Sequence, residues 1–449
     1  MSKKRRKSRR KKRKLQIAVS FAVILIVLAV CLAMQAYRNY TEHNEQAAQE
    51  ETETLTAQAL DTAEKENLPV PDAPAVESTA TIGVTGDIMG HSPLFKAALT
   101  SDGTYDFTSM FEAISPYWES VDYMIANLEV TLGGTEAGAY SGYPLFNCPD
   151  SIAEALAGAG VDMLLTANNH AYDTGEDGLL RTQEVIEEYG LDHTGTRTDA
   201  EDSYVLIKEI NGITFGFTCY TYSTYNDDGT KSLNGIEMTE TAAGLVNSFA
   251  YSDLDSFYET VSEEFAEMDE AGCDVKMVFI HWGEEYQDEP NEYQTEIAQA
   301  LSDLGADVII GGHPHVIQAF DVLEGEDGNT TYCLYSAGNA LSNQRASFMV
   351  SDGYRGYTED GLTFQITFEK LNNGTVRLSE IYILPTWVER SGSDFSIVPL
   401  DYTLDTSLWE TSDTSSAIAS YNRTLERLGE VYPSLRSELG LDEVPDSVE

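Results

Sequence analysis

Positive charge is what this sequence has least of. Its 449 residues hold 27 Lys and Arg against 75 Asp and Glu, a formal net charge of −48. Eleven of the basic residues are packed between Lys3 and Lys14, so the rest of the chain has 16 against 75, a balance of −59. Such a surface repels nucleic acid and anionic lipid and attracts cations, which sets nucleic-acid partners aside. Cysteine is scarce as well. Cys31, Cys148, Cys219, Cys273 and Cys333 include no pair at zinc-motif spacing, and Cys219 and Cys333 sit in apolar, strand-like runs where a thiol behaves as a small hydrophobe. No disulfide is expected.

Residues 17–34 are uncharged and nearly all apolar. About 20 such residues span the hydrocarbon layer as a helix. The basic flank favours a cytoplasmic N-terminus, which puts the remainder outside. A cleaved signal peptide has a shorter apolar region and a small-residue cleavage site, which residues 33–36 match poorly. The expected order is a basic cytoplasmic arm (1–16), a single-pass transmembrane anchor in the cell membrane (17–37) and an acidic disordered stalk (38–78). A globular domain (79–390) and a polar tail with a peripheral helix (391–449) follow. The stalk is rich in Glu, Ala, Thr and Pro and too poor in large apolar residues to offset its ordering entropy. The 42% hydrophobic and 10% aromatic content of the whole chain places most of it among globular proteins.

Within the domain, short apolar runs at 81–85, 123–126, 163–166, 276–280, 308–310 and 332–336 each end in polar or glycine residues. Helix-like stretches at 151–159, 178–189, 254–271 and 295–304 alternate with them. Asn211-Gly212 between two further runs predicts a hairpin, and residues 362–368 and 376–384 read as antiparallel strands. The pattern predicts an α/β fold whose ligands gather at the carboxyl ends of strands.

Those strand ends carry the chemistry. In order they read Gly86-Asp87-Ile88-Met89-Gly90-His91, Asn127-Leu128-Glu129, Asn168-Asn169-His170, His281-Trp282-Gly283-Glu284 and Gly312-His313-Pro314-His315. A lone His or Asp at a strand end is usually a hydrogen-bonding loop residue, but five in series are hard to explain so. Mixed oxygen and imidazole ligands suit manganese, iron or zinc, as one ion or as two close together. Such ions polarise a phosphoryl or carbonyl oxygen and generate hydroxide at neutral pH.

Asn169-His170 resembles the GNH motif, and Gly312-His313-Pro314-His315 the GHxH motif, of calcineurin-like metallophosphoesterases. Gly86-Asp87-Ile88-Met89, Asn127-Leu128-Glu129 and Ser336-Ala337-Gly338-Asn339 resemble the CapA branch, proteins of poly-γ-glutamate capsule synthesis. The resemblance covers about residues 80–345, extending toward 390. It implies a four-layer α/β/β/α sandwich and a role in synthesis, assembly or export of poly-γ-glutamate or a related anionic polymer, beside membrane synthase subunits. It implies that Asp87 and His315 hold a first ion, that Glu129 bridges, and that Asn169, His281 and His313 hold a second. His170 would be the acid near the leaving group. Asn127 is an alternative bridge, His91 a substitute ligand, and Asn339 and Glu284 lesser candidates. The sequence departs from the phosphoesterase Asp-x-His pattern at Met89, a poor ligand for these ions. Three functions stay open: a metal-dependent envelope hydrolase, a non-catalytic accessory or polymer-binding subunit, and a surface metallophosphatase or nucleotidase. Tyr220 to Tyr225 and Trp282 are candidates to line a polymer groove, and Arg345 and Arg355 to pair with an anionic substrate.

Overall fold

The computed structural model describes residues 74–351, 356–402 and 409–442. The arm, the anchor at 17–37, most of the stalk and Arg355 lie outside the described residues. Among the described residues no helix is long and apolar enough to cross a membrane.

The first strands are β1 (Val76–Ile88), β2 (Tyr123–Leu128), β3 (Met163–Leu165) and β4 (Asp192–Thr194). All six residues of β2 are buried, as expected of a parallel strand covered on both faces. A hairpin follows, β5 (Leu206–Ile210) and β6 (Ile213–Tyr222), turned by Asn211 and Gly212 at φ 51° and 81°. Positive φ at both central residues is what a tight hairpin turn needs. Short strands β7 (Thr224–Tyr225), β8 (Lys231–Leu233) and β9 (Ile236–Glu237) make a small separate sheet, and β10 (Ser248–Phe249) returns to β6. Then come β11 (Val275–His281), β12 (Val308–Gly312), β13 (Phe320–Glu324), β14 (Thr330–Leu334) and β15 (Asn339–Leu341). The series ends with β16 (Asp360–Leu371), β17 (Val376–Ser391) and β18 (Asp394–Pro399).

Two large sheets result. One runs β18-β17-β16-β1-β2-β3-β4, with β15 beside the end of β1; the other runs β10-β6-β11-β12-β14-β13, with β5 on β6. Ile82, Val84 and Phe364 of the first sheet share a core with Phe217, Phe279 and Ile310 of the second. On the far face of the first sheet, Met124 and Leu128 pack with Trp118 and Leu156 from helical segments. On the far face of the second, Val278 and Ile280 pack with Phe265 and Leu301 of helices Leu254–Glu270 and Glu292–Leu304. Alternate side chains of each strand therefore feed two different cores, which is the period-two geometry of a strand covered on both sides. The class is α/β with more than one sheet.

Two expected boundaries move. The strand at the domain's start reaches back to Val76, inside the expected stalk, because its ladder to β16 continues to Val76 opposite Leu371. Residues past 391 are more than a polar tail. Strand β18 pairs with β17 as the edge of the first sheet, and helices Thr414–Leu428 and Val431–Glu438 bring Tyr421, Leu428 and Tyr432 into buried clusters. Their apolar residues are spaced for one helix face each, which a low overall hydrophobicity conceals.

Candidate metal centre

Strands β1, β2 and β3 run parallel, as do β6, β11 and β12, so each set delivers its carboxyl ends to one edge. The register sets Asp87 beside Asn127. Contacts then join the two sheets: His281 Nε2 lies 3.0 Å from Asn169 Oδ1, and His315 Nδ1 lies 3.1 Å from Asp87 Oδ2. Close approach depends on glycine. A Cβ on Gly86 would stand 2.0 Å from the Gly338 carbonyl oxygen, and one on Gly312 would stand 2.9 Å from Asp87 Oδ1. His313 and His315 adopt φ of 95° and 57°, a left-handed conformation uncommon outside glycine and found at functional sites.

Asp87, Glu129 and His281 each offer one ligand atom within 4.8 Å of the others, and all three are buried. Glu129 Oε1 is 3.6 Å from His281 Nε2 and 3.8 Å from His315 Nε2, beyond hydrogen-bond reach. Neither carboxylate oxygen of Glu129 has a hydrogen-bond partner, and neither does His313 Nδ1. Burying a carboxylate without a partner is costly unless a cation balances it. Burial first, then the charges of Asp87 and Glu285, push the Glu129 carboxyl well above its usual range. Burial, reinforced by neighbouring imidazoles, drives His281 and His313 well below the usual histidine value, so both rings are neutral. A divalent cation removes the penalty on Glu129 and takes neutral imidazole as ligand, so these residues fit one.

The other expected residues fall around this cluster. Asn127 is engaged: its amide donates to Asp87 Oδ1 at 2.7 Å while its Oδ1 accepts from Asn168 at 3.2 Å. Glu129, by contrast, has both oxygens without a hydrogen bond. Asn339 accepts or donates around His315, bonding its ring nitrogen at 3.1 Å and its carbonyl at 3.3 Å. His170 Nδ1 is 2.7 Å from Asp173 Oδ2, which leaves Nε2 as its working atom. His91 is half-buried, with Nδ1 accepting from the Asn343 amide at 3.3 Å; burial pushes it down to about 3. Glu284 is exposed and the structure does not bring it into the cluster. Met89 is 2% exposed and packs in the core between the first sheet and its helices. At the position where a ligand histidine would stand, the side chain is part of a hydrophobic core.

The family model described as bacterial capsule synthesis protein PGA_cap matches residues 81–344, more than half of the chain. This chain belongs to that family. It is 29% identical over 240 residues to the PGA biosynthesis protein CapA of Bacillus subtilis, covering 53% of this chain and 57% of that one. It is 27% identical over 312 residues to the capsule biosynthesis protein CapA of Bacillus anthracis, covering 67% and 66%. The chain thus spans less than two thirds of either relative's length. A solved crystal structure aligns over 67% of this chain and 99% of its own at 10% identity with a TM-score of 0.32, too low to argue from.

In this PGA_cap chain Asp173 and Tyr286 were not apparent from the sequence, whereas Asn168 and Tyr222 stand in stretches that the sequence singles out. Asp173 orients His170 and also accepts from the Phe146 amide at 2.7 Å; its spacing of three from His170 was the available signal. Asn168 donates to the Leu128 carbonyl at 2.8 Å and braces the β2 end. Tyr222 lies edge-on to His313 with ring centroids 4.9 Å apart, and Tyr286 tilts over His315 at 5.9 Å. Of the other aromatic candidates, Trp282 and Tyr220 are core residues, bonding the Tyr335 carbonyl and Glu264, and Tyr225 is exposed. Arg345 is buried, donating to the Val388 carbonyl and packing over Phe395, with Nε and Nη2 unpartnered.

Proposed function

We propose that this protein is a metal-dependent hydrolase of the phosphoesterase type acting in synthesis, assembly or export of a capsule polymer of the poly-γ-glutamate kind. Glu129 carries the proposal: a carboxylate with both oxygens buried and unpartnered, within 4.8 Å of ligand atoms on Asp87 and His281. Asp87, Glu129, His281, His313 and His315, with Asn169, would hold one or two ions of manganese, iron or zinc. Two sheets that stack core to core, with helices outside, are consistent with a metallophosphoesterase-like sandwich. Bound there, a divalent ion polarises a phosphoryl or carbonyl oxygen and lowers the pKa of water.

The chain's own residues do the rest. Asp173 fixes the His170 ring through Nδ1, so Nε2 is the atom that hands a proton to a departing group. Asn127 holds Asp87 in place, and Asn339 aligns His315. Residues 17–37, outside the described part, would anchor the domain at the outer face of the cell membrane, near synthase subunits.

A second reading has its own observation. With Met89 in the core, the site lacks one usual ligand, which suits a non-catalytic, polymer-binding subunit. Elemental analysis of the purified protein, with assays on a chromogenic phosphodiester and on poly-γ-glutamate, separates the two. One or two ions per chain with turnover support the enzyme. Bound metal without turnover supports the binding subunit, and absence of metal overturns both forms of the site.

A further inference from the structure

A second cavity, of about 300 Å³, lies away from the metal cluster, against the edge strand β4 and the residues that follow it. That is the lower end of the size range for small-molecule sites. Arg197 lines it and is 5% exposed. Its guanidinium lies 3.5 Å over the Tyr204 ring and donates only to neutral acceptors, Asn247 Oδ1 and the Gly244 carbonyl, while Nε has no partner. An arginine carries five N–H donors, so most of its capacity is unspent. The buried Nδ1 of His193, also in the lining, has no partner either.

The acids of the lining are committed elsewhere. Asp192 is held by Lys208 at 2.6 Å and by the Tyr123 hydroxyl at 2.6 Å. Asp202 accepts from the Asp199 amide at 3.2 Å, and Glu187 faces His193 Nε2 at 3.4 Å. Glu264, a buried acid whose charge Arg197 favours, bonds Tyr220 instead. Among the described residues the Arg197 guanidinium therefore has no carboxylate bonded to it, although a buried charge is costly without one.

We propose that this cavity binds a small molecule through an oxyanion, a carboxylate or a phosphate group, that pairs with Arg197. The planar guanidinium fork matches either group, and the apolar part of the lining, Leu191, Val205 and Leu206, suits a short hydrocarbon stem. The Thr196 hydroxyl of the lining lies 2.8 Å from that of Thr166, just past β3.

Titration calorimetry on the full chain at fixed ionic strength tests this, with glutarate and inorganic phosphate as separate probes. Saturable binding of either is expected, and which one binds identifies the group. Arg197→Gln should weaken it about tenfold or more. Thr198→Trp, on the exposed rim, should block it without touching buried structure, which keeps the test decisive if the arginine variant does not fold. His281→Ala should leave it intact. No binding of either probe, binding unaffected by Thr198→Trp, or binding lost with His281→Ala would each overturn the proposal, the last by assigning the anion to the metal cluster.

Discussion

Two buried polar clusters of this molecule are built on opposite terms. Asp360, at the start of β16 and 4% exposed, receives a two-pronged pair of hydrogen bonds from Arg423, each 2.7 Å, and the guanidinium lies 3.8 Å over the Tyr357 ring. Every charge there has its answer within the chain. At the strand ends Asp87 is satisfied by Asn127 and His315, but Glu129 and His313 Nδ1 are buried with nothing bonded to them. A structural ion pair completes itself during folding. A centre that binds something from outside must be left incomplete, held in place by neighbours that have no other task. Arg197 belongs with the second kind.

The sharpest way to break the comparison is to remove ligands. His281→Ala and His313→Ala should each abolish most bound metal, exceeding the roughly 10–100-fold loss expected of an outer-shell residue, while His193→Ala should not; equal metal content in all three, by elemental analysis, would refute the site. His170→Ala separates chemistry from binding: metal content should stay at the parent level while turnover falls by about 10²–10⁴.

The self-satisfied pair should respond in stability alone. Arg423→Ala strands a buried carboxylate and should cost about 3 kcal/mol in denaturant unfolding, with metal content unchanged; a metal loss there would erase the distinction between the two clusters. A pH-dependent effect of similar size concerns Glu264, whose carboxyl burial pushes up to about 7 despite its bond to Tyr220. Its pKa is raised on folding, so its contribution is fully present below the unfolded value near 4.5 and is lost as pH rises through about 7. Glu264→Gln should therefore gain stability relative to the parent between pH 5 and 8, by on the order of 3 kcal/mol. Parallel stability profiles would show that Glu264 is not held neutral.

The strands that carry ligands were legible because each is a short apolar run that stops at a polar or glycine residue, and β2, β11 and β12 begin within a residue of where the runs begin. The choice between Asn127 and Glu129 was not legible, since the two stand two residues apart at the end of β2 and just past it. Only the tertiary structure sets Asn127 beside Asp87 and leaves both oxygens of Glu129 without a hydrogen bond. Strand β18 was missed because an edge strand after a polar turn reads as tail until its partner β17 is known.

By itself the sequence determined the α/β class, the succession of strand ends and the set of imidazole, amide and carboxylate groups placed there, because periodicity and turn residues are local properties of a chain. The tertiary structure decided which of those groups have partners. Whether Glu129 is orphaned, Met89 is core, Asp173 holds His170 or Arg197 has no carboxylate bonded to it depends on contacts between residues tens to hundreds of positions apart in some cases and on burial in all, and burial sets what an unpaired charge costs.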